Sequence, residues 1–171
     1  MSDTIDDLYE RYGPSYRSLL TFAAITASFT MVMSGTIVNV AVPDVMGAFG
    51  IGLDRAQLLS SAFNVALVTS QVLNTWVVGT FGQRGGFLLM AALFTLGSAI
   101  CILAGDFGWV VAGRVMQGAA AGVVQPLVMV TMFQVYPPER RGIAMAIYSM
   151  GVFMAVAMGP VIGGLAIEAL H

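Results

Sequence analysis

The stretch Gly113–Pro126, GRVMQGAAAGVVQP, places a full charge inside the apolar run Trp109–Val135. An arginine in hydrocarbon costs at least about 2.5–3.5 kcal/mol on insertion scales, so such a residue usually turns toward protein partners or a wet cavity. At about 100° per residue, Gln117 and Gln125 fall on the same side of a helix as Arg114. We therefore predict a helix that lines the interior of a membrane bundle, with Arg114 turned inward.

Two sets of small residues predict close contacts between helices. Gly118 and Gly122 lie beside the polar stripe in a GxxxG spacing, which lets another helix approach closely. A second ridge, in the last apolar run, has a small residue at every fourth position: Gly151, Ala155, Gly159 and Gly163. Pro160 and Gly164 complete this packing motif, and the donor that Pro160 lacks predicts a bend there.

The composition indicates a membrane protein without a catalytic centre. Hydrophobic residues make up 58% of the chain and charged residues only 9%, against roughly 25% charged in soluble domains. The net charge of −2 does not favour nucleic-acid binding. The chain has one cysteine, Cys101, and one histidine, His171, which is its last residue. The sequence therefore predicts no disulfide, no metal site, no cofactor and no enzymatic nucleophile–base pair.

Five apolar runs have about the length needed to cross a bilayer, which takes about 20 residues in a helix. They are Leu19–Val42, Leu58–Phe81, Gly86–Leu103, Trp109–Val135 and Ile143–Ala169. Backbone in lipid must satisfy its own hydrogen bonds, and the connectors are short. We therefore predict an all-α, polytopic helix bundle over residues 19–171, preceded by a polar tail at residues 1–18.

The arginines predict the orientation of the bundle, because cytoplasmic loops carry an excess of basic residues. If the tail is cytoplasmic, one side of the membrane receives five of them: Arg11, Arg17, Arg84, Arg140 and Arg141. The other side receives Arg55 alone. We predict a multi-pass protein of the inner, cytoplasmic membrane with a cytoplasmic N-terminus.

Polar residues inside the spans include the candidates for transport and coupling. Hydrogen bonds between helices account for most such residues in membrane proteins. The candidates for a translocation route or its coupling are Arg114, Gln117, Asn39, Ser34, Asn64, Gln71 and Gln125. For Arg114, a hydrogen-bonded strut and a role in coupling or substrate access both stay open. No aspartate or glutamate lies in the interior of a span, so a carboxylate partner would come from an outer loop end, such as Asp44 or Asp106, or from outside this chain.

Four motifs, in order, resemble a known transporter family. GRVMQG with Arg114 and Gln117 resembles the fourth-helix RxxQG motif of the major facilitator superfamily, and GPVIGG at residues 159–164 resembles the fifth-helix GPxxGG motif of its drug/proton antiporters. TIVNVAVP at residues 36–43 resembles the first-helix motif of the fourteen-helix branch, the EmrB/QacA type. YPPERRGIAM, from Tyr136, is similar to the cytoplasmic loop after helix four in that branch.

The resemblance implies proton-driven export of small amphiphilic compounds by alternating access. In that family the motif arginine assists proton movement, and the GPxxGG bend shapes the interface of helix five. Some pumps of the EmrB type also work with a periplasmic adaptor. The partners implied are the lipid bilayer, an amphiphilic substrate and protons, and no nucleic acid.

The chain departs from the family pattern at one first-helix position and in the loop after helix two, where both an acidic and a basic residue are replaced, the latter by Phe87. The first-helix motif usually has an aspartate two residues before its threonine, where this chain has Ser34. The loop after helix two usually reads close to GxLADRxGRK, whereas residues 79–88 read GTFGQRGGFL. Gly79, Arg84 and Gly86 remain from that motif, but Gln83 replaces the acid. We expect a weaker charge cluster at this loop and no proton site at position 34.

Such transporters have two six-helix halves with the substrate site between them, whereas this chain resembles the first five helices only. We therefore expect an N-terminal portion of a multidrug exporter that does not transport alone. The alternative is a self-standing five-span scaffold or regulator that oligomerises through its glycine ridges.

Overall fold

The computed structural model describes the backbone of residues 15–170 and the side chains of residues 19–169. Within these ranges the chain is helical and contains no strand, which confirms the predicted all-α class. The helices are α1 (Ser15–Phe49), α2 (Leu53–Ala56), α3 (Leu58–Gln71), α4 (Asn74–Leu103), α5 (Phe107–Val135) and α6 (Arg141–Leu170), with one 3₁₀ turn at Pro138–Arg140. The predicted tail falls largely outside the described residues.

Four segments among the described residues are long and apolar enough to cross a membrane: Leu19–Phe49, Asn74–Leu103, Phe107–Val135 and Pro138–Ala169. The residues of the second predicted span are shared between α3 and the first part of α4. Val72 and Leu73 keep right-handed helical dihedral angles between them, and the Leu73 amide donates to the Ser70 carbonyl at 2.9 Å. The direction of the helix breaks at Gly82 instead, where φ is 69° and ψ is 173°, a conformation that a glycine adopts without a steric cost.

The first helix is longer than the apolar run that predicted it. It continues through Pro43 to Phe49, because a proline removes one donor but does not always end a helix when its neighbours hold the turn. Gly50 then ends α1 with a φ of 61°, and the Ile51 amide donates to the Met46 carbonyl at 3.2 Å. This is the hydrogen bond of a Schellman motif, which requires a left-handed residue at the position of Gly50.

Helix α5 lies at the centre of the described bundle. Of the residues in its most apolar window, 56% are buried, against 11–17% in the other three candidate spans. It packs against α4, α3 and α1, while α6 packs mainly on α1. Asp106 caps its first turn by accepting from the amides of Gly108 at 2.7 Å and Trp109 at 3.3 Å. The central position of α5 encloses the polar side chains that it carries.

Candidate functional site

The guanidinium of Arg114 lies inside the bundle, and only 3% of the residue is exposed. Its Nη1 atom donates to the carbonyl and hydroxyl oxygens of Ser34 on α1, each at 3.1 Å. The same atom donates to Oε1 of Gln117 at 2.8 Å, and Nε donates to the Leu59 carbonyl at 3.4 Å. Arg114 therefore ties α5 to both α1 and α3.

Gln117 extends this contact to a fourth helix segment. Its Nε2 atom donates to the hydroxyl oxygen of Ser98 on α4 at 2.8 Å, and that hydroxyl donates to the Phe94 carbonyl at 3.0 Å. Gln117 is 6% exposed, so these hydrogen bonds form away from solvent. Ser34, Arg114, Gln117 and Ser98 form one hydrogen-bonded chain across α1, α5 and α4, which we call the arginine cluster.

The charge of Arg114 is surrounded by neutral groups. The guanidinium carbon lies 4.4 Å from the centroid of the Phe63 ring, within cation–π range. Every hydrogen-bond acceptor described for it is a carbonyl, hydroxyl or amide oxygen. Its Nη2 atom is buried and has no hydrogen-bond partner among the described residues. The cluster thus holds an arginine cation for which the described contacts supply no carboxylate.

A second polar group lies between α1 and α3. The Ser60 hydroxyl donates to Oδ1 of Asn39 at 2.8 Å, and Nδ2 of Asn64 donates to the Ser60 carbonyl at 2.8 Å. Asn39 and Asn64 are exposed. A cleft of about 380 Å³ opens beside them and is lined by Asn39, Val42, Leu53, Gln57, Ser60 and Ser61. The residues that line this cleft belong to the first two predicted spans and to the segment that connects them.

Two of the predicted candidates lie apart from both groups. Gln125 is half-buried on the same face of α5 as Arg114, but eleven residues along a helix is roughly 16 Å. Gln71, at the end of α3, is exposed and lies about 10 Å along the helix from Asn64. Neither takes part in the hydrogen bonds described for the arginine cluster or the cleft.

Two glycines of α5 bring the backbone of α3 close to it, beside the arginine cluster. A Cβ on Gly118 would collide with the carbonyl oxygen of Phe63, and a Cβ on Gly122 would collide with the carbonyl oxygen of Leu67. The obstacles are backbone atoms, which do not move aside as a flexible side chain does. Gly118 therefore sets the helix separation at which Phe63 reaches the guanidinium.

The second glycine ridge packs α6 onto α1. A Cβ on Gly159 would collide with the Thr36 hydroxyl, one on Gly163 would lie 2.8 Å from Cγ1 of Ile37, and one on Gly151 would lie 3.2 Å from Cγ2 of Ile25. In contrast, a Cβ on Gly164 would meet nothing within 4 Å among the described residues. Pro160 lies within α6 and is exposed.

The residues of the predicted cytoplasmic loops are only partly brought together. Nε2 of Gln83, the residue that replaces the family's acid, donates to Oε1 of Gln134 near the end of α5 at 2.6 Å. Arg141 donates through Nε to the Tyr136 carbonyl at 3.2 Å. Arg84 and Arg140 are exposed, a Cβ on Gly86 would lie 3.1 Å from Val77, and one on Gly79 would meet nothing described within 4 Å. A neutral amide pair thus joins the turn at Gly82 to α5.

The sequence did not single out Ser98, Phe63 or Leu59. The signal for Ser98 was present, since it is a polar residue within an apolar run. Phe63 and the Leu59 carbonyl gave no signal, because an apolar side chain and a backbone oxygen become partners only through the packing of α3 on α5.

Comparison with known proteins shows which families and proteins the chain is similar to. The family model described as Major Facilitator Superfamily matches residues 24–171. Over 153 residues the chain is 36% identical to the multidrug export protein EmrB of Haemophilus influenzae, and 33% identical to the protein of the same name in Escherichia coli; each match covers 90% of this chain and 30% of the relative. It is also 34% identical over 149 residues to the uncharacterized MFS-type transporter YhcA of Bacillus subtilis, covering 87% of this chain and 28% of that relative. The chain therefore spans under a third of the length of these curated relatives.

Proposed function

The chain belongs to the major facilitator superfamily, and from this premise we propose that it forms the first transmembrane helices of a proton-driven exporter of small amphiphilic compounds. Members of this family are membrane transporters, and this chain is a multi-pass membrane protein rather than an enzyme. Two of the relatives named above are called multidrug export proteins, and this supports a broad amphiphilic substrate class for this chain. The proposed location is the inner membrane, with the N-terminus in the cytoplasm.

The observation that carries this proposal is the polar cleft between α1 and α3. Asn39 and Asn64, which lie within the first two predicted spans, are exposed beside a cleft of about 380 Å³. At membrane depth, such groups are tolerated where they face protein or a water-filled cavity, because lipid cannot satisfy them. This face is therefore proposed to line the translocation route, with further transporter helices opposite it.

The arginine cluster supplies a means to couple helix movements. Arg114 and Gln117 hydrogen-bond to α1, α3 and α4 at once, so a shift of one helix must break or move several buried hydrogen bonds. Such a cluster favours a small number of discrete arrangements, as alternating access requires. The carboxylate that carries the proton is proposed to lie outside this chain, because the acidic residues of the described spans, Asp44, Glu139 and Glu168, lie toward the span ends.

Transport is proposed for a longer protein than the chain described here. Five spans do not enclose a site that lies between two six-helix halves. The proposed partner of the cleft is therefore the other half of the transporter. A periplasmic adaptor, which the resemblance implies for some relatives, stays a prediction.

The test is an efflux assay with the complete gene in a host that lacks its own multidrug pumps. We expect export of cationic or neutral amphiphilic dyes that stops when the proton gradient is collapsed. Asn64→Ala is expected to change the rank order of exported dyes while the protein level stays the same, because Asn64 is exposed beside the cleft. Efflux that persists without a proton gradient would contradict the proposed coupling, and no efflux of any dye would contradict the proposed activity.

The alternative of an oligomerising scaffold receives less support from the packing. Its contact surfaces were the glycine ridges, but Gly118 and Gly122 already contact α3, and Gly159 and Gly163 already contact α1. Ridges that are occupied within one chain are not free to bind a second copy. The exporter is therefore the function that the geometry supports best.

A further inference from the structure

We propose that the buried guanidinium of Arg114 binds one small monovalent anion, of the size of chloride, between α1, α3 and α5. The site involves the arginine to which we assign coupling in the proposed function, but its occupant is a diffusible ion rather than a substrate, and its binding can be measured without transport. Ser34 meets the guanidinium through neutral oxygens, which accept hydrogen bonds from Nη1 but do not cancel the charge.

The guanidinium of Arg114 has N–H donors that no described residue accepts. An arginine carries five N–H groups, one on Nε and two on each terminal nitrogen. Nε donates to the Leu59 carbonyl, and Nη1 faces three acceptors, two from Ser34 and one from Gln117. The two donors on Nη2 are buried and have no partner among the described residues. A buried, charged donor without a hydrogen-bond partner is strongly unfavourable, so Nη2 requires an acceptor.

The positive charge of Arg114 has no counter-ion among its described hydrogen-bond partners. The cation is 3% exposed, and its described acceptors are neutral oxygens and one aromatic ring. Neutral dipoles stabilise a buried cation less well than a counter-ion does at the same distance. The nearest carboxylates along the helices, Asp44 and Asp106, lie at or beyond the ends of the predicted spans. An anion at Nη2 would supply both the missing acceptor and the missing charge.

The burial of Arg114 limits the size of the group that can bind to it. Arg114 is enclosed by helices of this chain alone, with Phe63 on one side and Ser34 on another. Because Nη2 is buried among helices of this chain, a side chain from the other half of a longer transporter, or the carboxylate of an amphiphilic substrate, would reach it only if these helices moved apart. Gly118 and Gly122 hold α3 and α5 in backbone contact. Of these occupants, a monatomic anion requires the smallest movement of the surrounding helices.

The test is the thermal stability of the complete gene product in a neutral detergent, followed by the fluorescence of tryptophans such as Trp76 and Trp109. Sodium gluconate is replaced by sodium chloride at constant ionic strength. We expect a saturable rise in the unfolding midpoint of about 2–4 °C with chloride. Bromide is expected to act similarly, whereas sulfate, which is larger and doubly charged, gives no such rise.

Two substitutions at one position separate the anion site from general salt effects. Ser34→Asp supplies a built-in carboxylate and is expected to weaken chloride binding at least tenfold. Ser34→Asn, which is similar in size but neutral, is expected to retain an affinity within about threefold of the unsubstituted protein; both values are order-of-magnitude expectations for adding a neighbouring charge. Arg114→Gln is expected to abolish the chloride effect.

Three results would overturn the proposal. A midpoint that does not respond to chloride would mean that water or a rearranged side chain satisfies Nη2. Equal chloride responses in Ser34→Asp and the unsubstituted protein would place the anion elsewhere. If the variants do not fold, anomalous diffraction from bromide decides: a bromide peak beside Nη2 supports the site, and bromide bound only elsewhere refutes it. None of these readouts uses transport, so the anion site and the exporter function can fail separately.

Discussion

The Nη1 atom of Arg114 lies 3.1 Å from the hydroxyl oxygen of Ser34, eighty residues earlier in the chain. This contact joins the fourth predicted span to the first at the position where the sequence departs from its family's acidic pattern. A serine accepts a hydrogen bond from the guanidinium but does not cancel its charge. The consequences for stability, orientation and transport can each be measured.

Replacing Gly118 with alanine is expected to destabilise the bundle, whereas Gly164→Ala is not. A Cβ on Gly118 would collide with the Phe63 carbonyl, while one on Gly164 would meet nothing described within 4 Å. Overpacking of this kind typically costs about 1–3 kcal/mol. Alanine at an open helical glycine is instead neutral or slightly favourable, by up to roughly 1 kcal/mol. The measurement is the thermal unfolding midpoint of both variants in detergent, and equal midpoints would show that α5 does not pack on α3 as described.

Ser98→Ala is expected to weaken the arginine cluster, with Thr95→Ala as its matched control. Both residues are on α4, and both hydroxyls donate to a carbonyl of their own helix. Only the Ser98 hydroxyl also accepts from Nε2 of Gln117, at 2.8 Å. Interhelical hydrogen bonds in membranes contribute about 0.6 kcal/mol, with a maximum near 1.7.

In a double-mutant cycle of unfolding free energies, Ser98→Ala and Gln117→Ala should therefore show a coupling of this size. Thr95→Ala and Gln117→Ala should show none. A zero coupling energy for the first pair would mean that Gln117 does not depend on Ser98 in the membrane protein.

The sequence predicted the helical class from the length of its apolar runs, and the inward position of Arg114 from its charge. A charge in an apolar run has few tolerable surroundings, and helical periodicity brings Gln117 onto its face. The partners on other helices were harder to predict. Leu59 contributes a backbone carbonyl, which every residue has, and Ser98 becomes a partner only because Gly97 and Gly113 bring α4 and α5 together: a Cβ on either would approach the other's carbonyl oxygen to within 2.8 Å.

The ends of the helices were less predictable than their interiors. The apolar run stops at Val42, but α1 continues to Phe49, where Gly50 ends it. Hydropathy measures the preference for lipid, whereas a helix ends where the backbone adopts a non-helical angle. Gln125 shows the complementary error: it shares a helix face with Arg114 but lies too far along the axis to join its hydrogen bonds.

Residues 84 and 140 are expected to be labelled from the same side of the membrane. The Gln83–Gln134 hydrogen bond holds the turn at Gly82 beside the end of α5, and the 3₁₀ turn at Pro138–Arg140 follows directly. In a Cys101→Ser background, Arg84→Cys and Arg140→Cys should react with a membrane-impermeant thiol reagent only after the cytoplasmic face is opened. Asp54→Cys, in the exposed short helix α2 before α3, is the control and should react in intact cells. Opposite accessibility of positions 84 and 140 would refute both the topology and the predicted orientation.

Arg114→Ala in the complete transporter is expected to reduce efflux more than it reduces the amount of protein. Its removal eliminates the buried hydrogen bonds to Ser34, Leu59 and Gln117, but it also removes a cation that is costly to bury, so the two effects on stability partly offset each other. No other basic residue lies within the five predicted apolar runs, so no second cation is available to replace Arg114 in coupling. Dye efflux normalised to protein level in the membrane is the measurement, and Arg55→Ala, at an exposed position of the short helix α2, is the control that should leave both unchanged. If efflux and protein level fall in equal proportion, Arg114 acts only as a strut between helices, and the coupling role proposed for it is excluded.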